Sequence, residues 1–242
     1  MVLGINKNLP VEFRKYNIAK IQSGASNKKF YRLSKDKHSI ILIDFDHDKK
    51  EYSNHLKIYN LLKNLDISIP KIIEKNTNEL FILTEDFGNL RFDLILKRYP
   101  LNQLLQYAVD TLIVIKNSIE FDNKLSLDKY SFEIFKKEIS EMPEYYFDSI
   151  ELNNKNLVND FFNIWEEAYK NKVFQFNNFV HKDFNINNLI LLPHEHNHLK
   201  CGVIDFQSGF WGENCWDLFS LLEDSRTYFS NDYNDYFIRI FQ

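Results

Sequence analysis

The sequence runs to 242 residues, 44% hydrophobic and 26% charged, which suits one large globular domain or two small lobes sharing a cleft. Its formal net charge of −4 removes any overall electrostatic case for nucleic acid or an anionic membrane, so a polyanionic ligand must be met by local donors and a metal ion. The two cysteines, Cys201 and Cys215, form no disulfide or zinc pattern and read as buried small hydrophobes. No apolar run approaches a membrane span and the start lacks a secretory h-region, which predicts a cytoplasmic protein without an obligate protein partner.

Residues 18–21, 30–33 and 39–45 read as three short strands separated by polar turns. The first connection, Ser23-Gly24-Ala25-Ser26-Asn27-Lys28-Lys29, is small, polar and basic. Such a loop offers backbone N–H groups and ammonium charge to phosphates, although a plain hairpin turn is an equal reading. Apolar residues then recur at helical spacing over 49–65 (Tyr52, Leu56, Tyr59, Leu62, Leu65) until Pro70 blocks continuation. Residues 71–74 and 80–84 read as two more strands, and Thr84-Glu85-Asp86-Phe87-Gly88 as a hinge whose backbone, at Glu85 and Phe87, would meet a nucleotide base.

Beyond residue 88 the pattern turns helical. Leu101, Leu104, Leu105, Ala108, Leu112, Ile115 and Ile119 form one apolar face. Less regular helices are predicted over 129–141 and 157–169, the latter with Phe161, Ile164, Trp165 and Ala168 as a core stripe. The expectation is an α+β, two-lobed kinase-like fold: an antiparallel-sheet N-lobe over 1–88 and a helical C-lobe over 89–242.

The chemistry concentrates in FVHKDFNINNLILLP and CGVIDFQSGFWGENCWDL. His181, Asp183 and Asn188 precede one strand-like run, and Asp205 follows the next. Any one of these residues singly is more often a turn residue. In this order they are the set that phosphoryl transfer from ATP asks for: a carboxylate for the acceptor hydroxyl, plus an amide and a second carboxylate for Mg²⁺. Asp217 opens a following helix, where its charge is favoured. His194, His196 and His198 alternate, but their setting after Pro193 is that of a solvated turn, not a metal site.

HKDFNINN, VIDFQ and WDLFSLLED resemble the aminoglycoside-phosphotransferase and choline-kinase group. The resemblance implies Asp183 as catalytic base, Asn188 and Asp205 as Mg²⁺ ligands, and His181 and Asp217 as ties within the catalytic loop. With SGASNKKFYRL and ILTEDFG added, the sequence is similar to the cell-wall-recycling kinases that phosphorylate the anomeric hydroxyl of N-acetylmuramate and N-acetylglucosamine.

Three departures stand out. The third strand carries no Lys to grip the phosphates, so either Arg32, Lys28 or Lys29 substitutes or nucleotide binding is weak, and the partner of Glu51 on the following helix is open. Ser208 stands where the family often has an acid. FIRIFQ reads as a helix stopped midway, so the expectation is a C-terminally incomplete acceptor side. The resulting expectation is an ATP- and Mg²⁺-dependent kinase for a small hydroxylated metabolite, an amino sugar first. The alternatives are an aminoglycoside or choline-like acceptor, or a catalytically dead nucleotide-binding module.

Overall fold

The computed structural model describes residues 9–22, 28–122, 125–152, 154–172, 176–224, 227 and 231–241. The chain folds into two lobes. Strands β1 (Asn17–Ile21), β2 (Lys29–Lys35), β3 (His38–Asp44), β4 (Ile72–Asn76) and β5 (Phe81–Glu85) form one antiparallel sheet in the order β1-β2-β3-β5-β4. Alternation along the strands sends side chains to two faces. Tyr31, Leu33, Ile40, Leu42 and Leu83 pack with Leu9 and Phe13 on one face. Ile43, Phe45, Leu80 and Ile82 pack with Tyr52 on the other.

Tyr52 belongs to helix α1 (Lys49–Leu62), whose first turn is capped by Asp48 accepting from the Glu51 N–H at 2.9 Å. The helix ends at Leu62, short of the Leu65 that periodicity suggested. Its second half, through Ile58 and Leu62, joins the core of the other lobe. A second link is Ser68, whose carbonyl accepts from Val203 N–H (2.8 Å) and whose hydroxyl donates to the Leu199 carbonyl (2.7 Å).

The lower lobe is built on α3 (Leu101–Ser118), following the short α2 (Phe92–Ile95). Leu104, Leu105, Ala108, Val109, Leu112 and Ile115 of α3 are buried against two small two-stranded sheets: β6 (Asn178–Val180) with β9 (Phe210–Gly212), and β7 (Leu189–Leu191) with β8 (Cys201–Val203). Helices α6 (Trp216–Leu222) and α7 (Asn231–Phe241) close the same core through Leu218, Leu221, Leu222, Phe237 and Phe241. No described helix is long and apolar enough to cross a membrane.

Two sequence expectations need correction. Helix α4 (Phe132–Ile139), a π-helical turn (Met142–Phe147) and α5 (Lys155–Lys170) form an outlying hairpin in which neither α4 nor α5 has a buried residue. Ile164 and Trp165 are exposed, so the α5 stripe is not core. Its rings meet the buried cluster of Tyr130, Val180 and Phe210 only through intermediaries such as Phe135, and Phe161 packs on Phe147. Cys201 is buried, its thiol pushed up to about 12 by desolvation, whereas Cys215 is exposed just before α6.

Candidate active site

The chain leaves β6 at Val180 and runs through His181–Asn188 before β7. Two backbone N–H groups, of His181 (2.6 Å) and Lys182 (3.0 Å), donate to the two oxygens of the buried Asp217 carboxylate at the start of α6. Burial pushes that carboxyl up to about 7, against the pull of both N–H groups. Lys182 sits at φ +82°, a costly conformation for a residue with a Cβ. The two bonds to Asp217 hold it there.

His181 is buried and burial pulls its pKa down, so its ring is neutral. Its Nε2 lies 3.1 Å from the Ile204 carbonyl; since a carbonyl only accepts, Nε2 carries the proton. That bond spans from the catalytic loop to the end of β8, one residue before Asp205. The side chain of Asp183 points into solvent, while its carbonyl accepts from Asn188 Nδ2 at 2.9 Å and Asn185 Nδ2 at 3.2 Å. With its nitrogen committed, Asn188 has its amide oxygen left to offer. The Asn188 carbonyl in turn accepts from Ile204 N–H at 3.1 Å, so Asn188 and Asp205 stand side by side at the open end of the β7–β8 pair.

Asp205 itself adopts a left-handed conformation, φ +66°. Lys28, only 2% exposed, reaches it from the residue before β2: Lys28 Nζ donates to Asp205 Oδ1 at 2.7 Å and pairs with Glu51 Oε1 at 3.3 Å. Gln207 Nε2 donates to the same Oδ1 at 3.0 Å. Burial raises the Asp205 carboxyl, but the Lys28 charge and the two hydrogen bonds win and hold it below the usual carboxylate range. Lys28 therefore occupies the place the third strand leaves empty. Register explains how: Lys29 pairs with Asp44 at the end of β3, which brings Lys28 beside the terminus of that strand.

The other two basic candidates go elsewhere. Lys29 binds the exposed Asp46. Arg32 is committed to the hinge, with Nε 2.6 Å from Asp86 Oδ2, Nη2 2.9 Å from Asp86 Oδ1 and Nη1 2.6 Å from Asn89 Oδ1. Burial raises the Asp86 carboxyl, yet the bonds from Arg32 and Gly88 hold it low. The Glu85 N–H is already paired with the Lys71 carbonyl, leaving only its carbonyl for a base. The Phe87 ring lies over Gly202, where a Cβ would meet it at 2.7 Å. Ser23, Gly24, Ala25 and Ser26 lie outside the described residues.

Among the described residues no three His, Cys, Asp or Glu side chains converge, the alternate histidines included. One carboxylate beside one amide oxygen is a poor site for a resident transition metal. It fits Mg²⁺, which keeps waters and takes its remaining ligands from phosphates. Sequence reasoning missed Gln207, His55 and the bonds that Glu138 makes to Tyr130 (2.6 Å) and Lys182 (3.4 Å). His55 lies one helical turn after Glu51, the one spacing that pointed to it.

Residues 142–242 match the APH family, described as the phosphotransferase enzyme family. The N-acetylmuramate/N-acetylglucosamine kinase of Pseudomonas aeruginosa is 24% identical over 206 residues, which is 84% of this chain and 58% of that protein. The enzyme of the same description from Neisseria meningitidis is 24% identical over 221 residues, 88% of this chain and 63% of the relative. The chain thus spans about three fifths of the length of these relatives. Among solved structures, ADP-bound aminoglycoside phosphotransferase APH(2'')-Ib superposes with a TM-score of 0.69 at 19% identity, covering 100% of this chain and 81% of that one. Choline kinase LicA from Streptococcus pneumoniae superposes with a TM-score of 0.66 at 17% identity, covering 93% and 74%. At such identities these structures speak for the fold.

Proposed function

We propose, from the match of residues 142–242 to the phosphotransferase enzyme family, that the chain transfers the γ-phosphoryl group of ATP to a hydroxyl of a small metabolite, between an N-lobe over 1–88 and a C-lobe over 89–242. The observation that carries the proposal is the bonding of Asn188 to the Asp183 carbonyl and to the Ile204 N–H next to Asp205, whose carboxylate is faced by the buried Lys28 ammonium. Asp183, its side chain exposed, aligns the acceptor hydroxyl and takes its proton late, because a loose transition state leaves little covalent work for the protein. Asn188, through its free amide oxygen, and Asp205 would hold Mg²⁺. When bound, that ion neutralises charge spreading over the phosphoryl oxygens. Lys28 grips the nucleotide phosphates from just before β2, steadied by Glu51. His181 and Asp217 keep the loop in register, and Glu85 and Phe87 meet the base. ATP and Mg²⁺ are abundant in the cytoplasm, the compartment this chemistry calls for.

The preferred acceptor is an amino sugar, at its anomeric oxygen, a reading supported by the two curated relatives. An anomeric hydroxyl is more acidic than an ordinary alcohol and asks less of Asp183. A second reading is an aminoglycoside or choline-like acceptor, the classes of substrate that the solved enzymes of the same fold are named for. Phosphorus NMR with Mg-ATP and a panel of N-acetylmuramate, N-acetylglucosamine, kanamycin and choline separates the two. A sugar 1-phosphate signal is expected, absent in Asp183→Asn, which still binds ATP. Unchanged turnover in Asp183→Asn would sink the assignment, and ATP binding with no new ester over the panel would favour a non-catalytic module.

A further inference from the structure

Lys182 stands immediately before Asp183, and its backbone is held from α6: its N–H donates to Asp217 Oδ1 at 3.0 Å and its carbonyl accepts from Ser220 Oγ at 3.4 Å. Its φ of +82° is one that glycine adopts freely and that a side chain makes costly. Glycine would therefore serve the geometry of the loop better. The chain keeps a lysine there instead, its side chain 41% exposed, so the reason for the residue lies in its ammonium and not in its backbone.

Among the described residues that ammonium bonds Glu138 of α4, with Nζ 3.4 Å from Oε1, longer than a tight charged hydrogen bond. Both side chains are exposed enough that the pair adds little to stability. Glu138 is itself fixed: its Oε2 accepts from the Tyr130 hydroxyl at 2.6 Å, and Tyr130 is buried against Phe210 and Trp216. A carboxylate is thus already accommodated at the ammonium, and further N–H donors remain on it. Consecutive Cα atoms lie about 3.8 Å apart, so an acceptor hydroxyl at Asp183 stands within a lysine's length of this charge. We propose that Lys182 is a specificity-determining residue: its ammonium binds a carboxylate carried by the acceptor and so selects an anionic sugar over its neutral counterpart. Of the two amino sugars proposed above, N-acetylmuramate carries such a carboxylate, on an ether oxygen two ring carbons from the anomeric hydroxyl, and N-acetylglucosamine does not. This inference rests on the reading that Asp183 meets the hydroxyl of an amino sugar.

The test compares N-acetylmuramate with its methyl ester, which keeps the bulk and removes the charge. It reads kcat/KM at saturating Mg-ATP in wild type, Lys182→Met, Lys182→Arg and Glu138→Gln. The acid-to-ester ratio within one variant cancels any uniform loss of activity. A hydrogen bond between charged groups is worth roughly 10-fold, so wild type should prefer the acid by about that factor. The preference should vanish in Lys182→Met and persist at least in part in Lys182→Arg. It should grow in Glu138→Gln, which still accepts from Tyr130 but no longer competes for the ammonium. Acid and ester used equally by wild type, turnover of N-acetylglucosamine but not of N-acetylmuramate, or an undiminished acid preference in Lys182→Met would each overturn the inference while leaving the proposed function standing. If Lys182→Met does not fold or turns over neither substrate, Glu138→Gln decides: a ratio no higher than that of wild type overturns the inference. Wild type that phosphorylates neither sugar would overturn the amino-sugar reading along with it.

Discussion

Replacing Lys28 with Met removes one charge and keeps the stem that fills the space. The ammonium lies 2.7 Å from Asp205 Oδ1 and 3.3 Å from Glu51 Oε1, so those two oxygens are no more than about 6 Å apart, the sum of the two distances. In the variant they face each other uncompensated. At an effective dielectric near 20, like charges at that separation repel by roughly 3 kcal/mol. The side chains of Glu51 and Asp205 are 26% and 32% exposed, so water screens part of this and the expected loss of stability is about 2 kcal/mol. Urea unfolding at neutral pH and low salt is the assay, since guanidinium would screen the repulsion. Lys28→Met/Glu51→Gln should recover most of the loss, whereas Glu51→Gln alone should cost under about 1 kcal/mol because Lys28 keeps Asp205. A Lys28→Met protein as stable as wild type, or a double variant no better than Lys28→Met, would refute the argument.

Two further outcomes follow from the site. His55 is pushed down to about 4 and His181 is also depressed, both by burial. Below the ordinary value of 6.5 the unfolded chain binds protons that the folded chain refuses, so this part of the stability is lost as pH falls from about 6.5 towards about 4. Asp217, raised to about 7, tilts the profile the opposite way over the same window. The comparison is therefore between wild type and His55→Phe, which share it: relative to the variant, wild type should lose about 2 kcal/mol between roughly pH 7 and pH 5. Parallel profiles in urea titrations would show that the imidazole is not held neutral. In Arg32→Lys, a point charge replaces a planar fork that reaches Asp86 through two nitrogens and Asn89 through a third. About 1 to 2 kcal/mol of stability should go with it, and an unchanged urea midpoint would mean that the hinge does not depend on the fork.

The frame of the candidate site was legible because it is written in a short stretch: His181, Asp183 and Asn188 fall within eight residues, and their strands lie within a residue or two of the apolar runs. The origin of the cleft ammonium was not. Choosing among Lys28, Lys29 and Arg32 required the sheet register, which buries Lys28 while Lys29 turns to the surface. The α5 stripe failed for another reason. Helical periodicity tells which face is apolar, not whether anything covers it, and Trp165 remains 41% exposed. A lone histidine on a helix, such as His55, carries no signature beyond its spacing one turn after Glu51.

Helix α1 belongs to neither lobe alone. Tyr52 is buried among the sheet residues Phe45, Leu80 and Ile82, while Ile58 and Leu62, half a helix further on, are buried with the α3 residues below. Pulling either end free would expose a large apolar side chain at about 1.5–3 kcal/mol each. The helix acts as a rivet between roof and floor. Glu51, riding on it, keeps its place opposite Lys28 and Asp205 before any ligand arrives, so under the function proposed above a nucleotide would meet a preorganised electrostatic frame and need not supply the energy to assemble one.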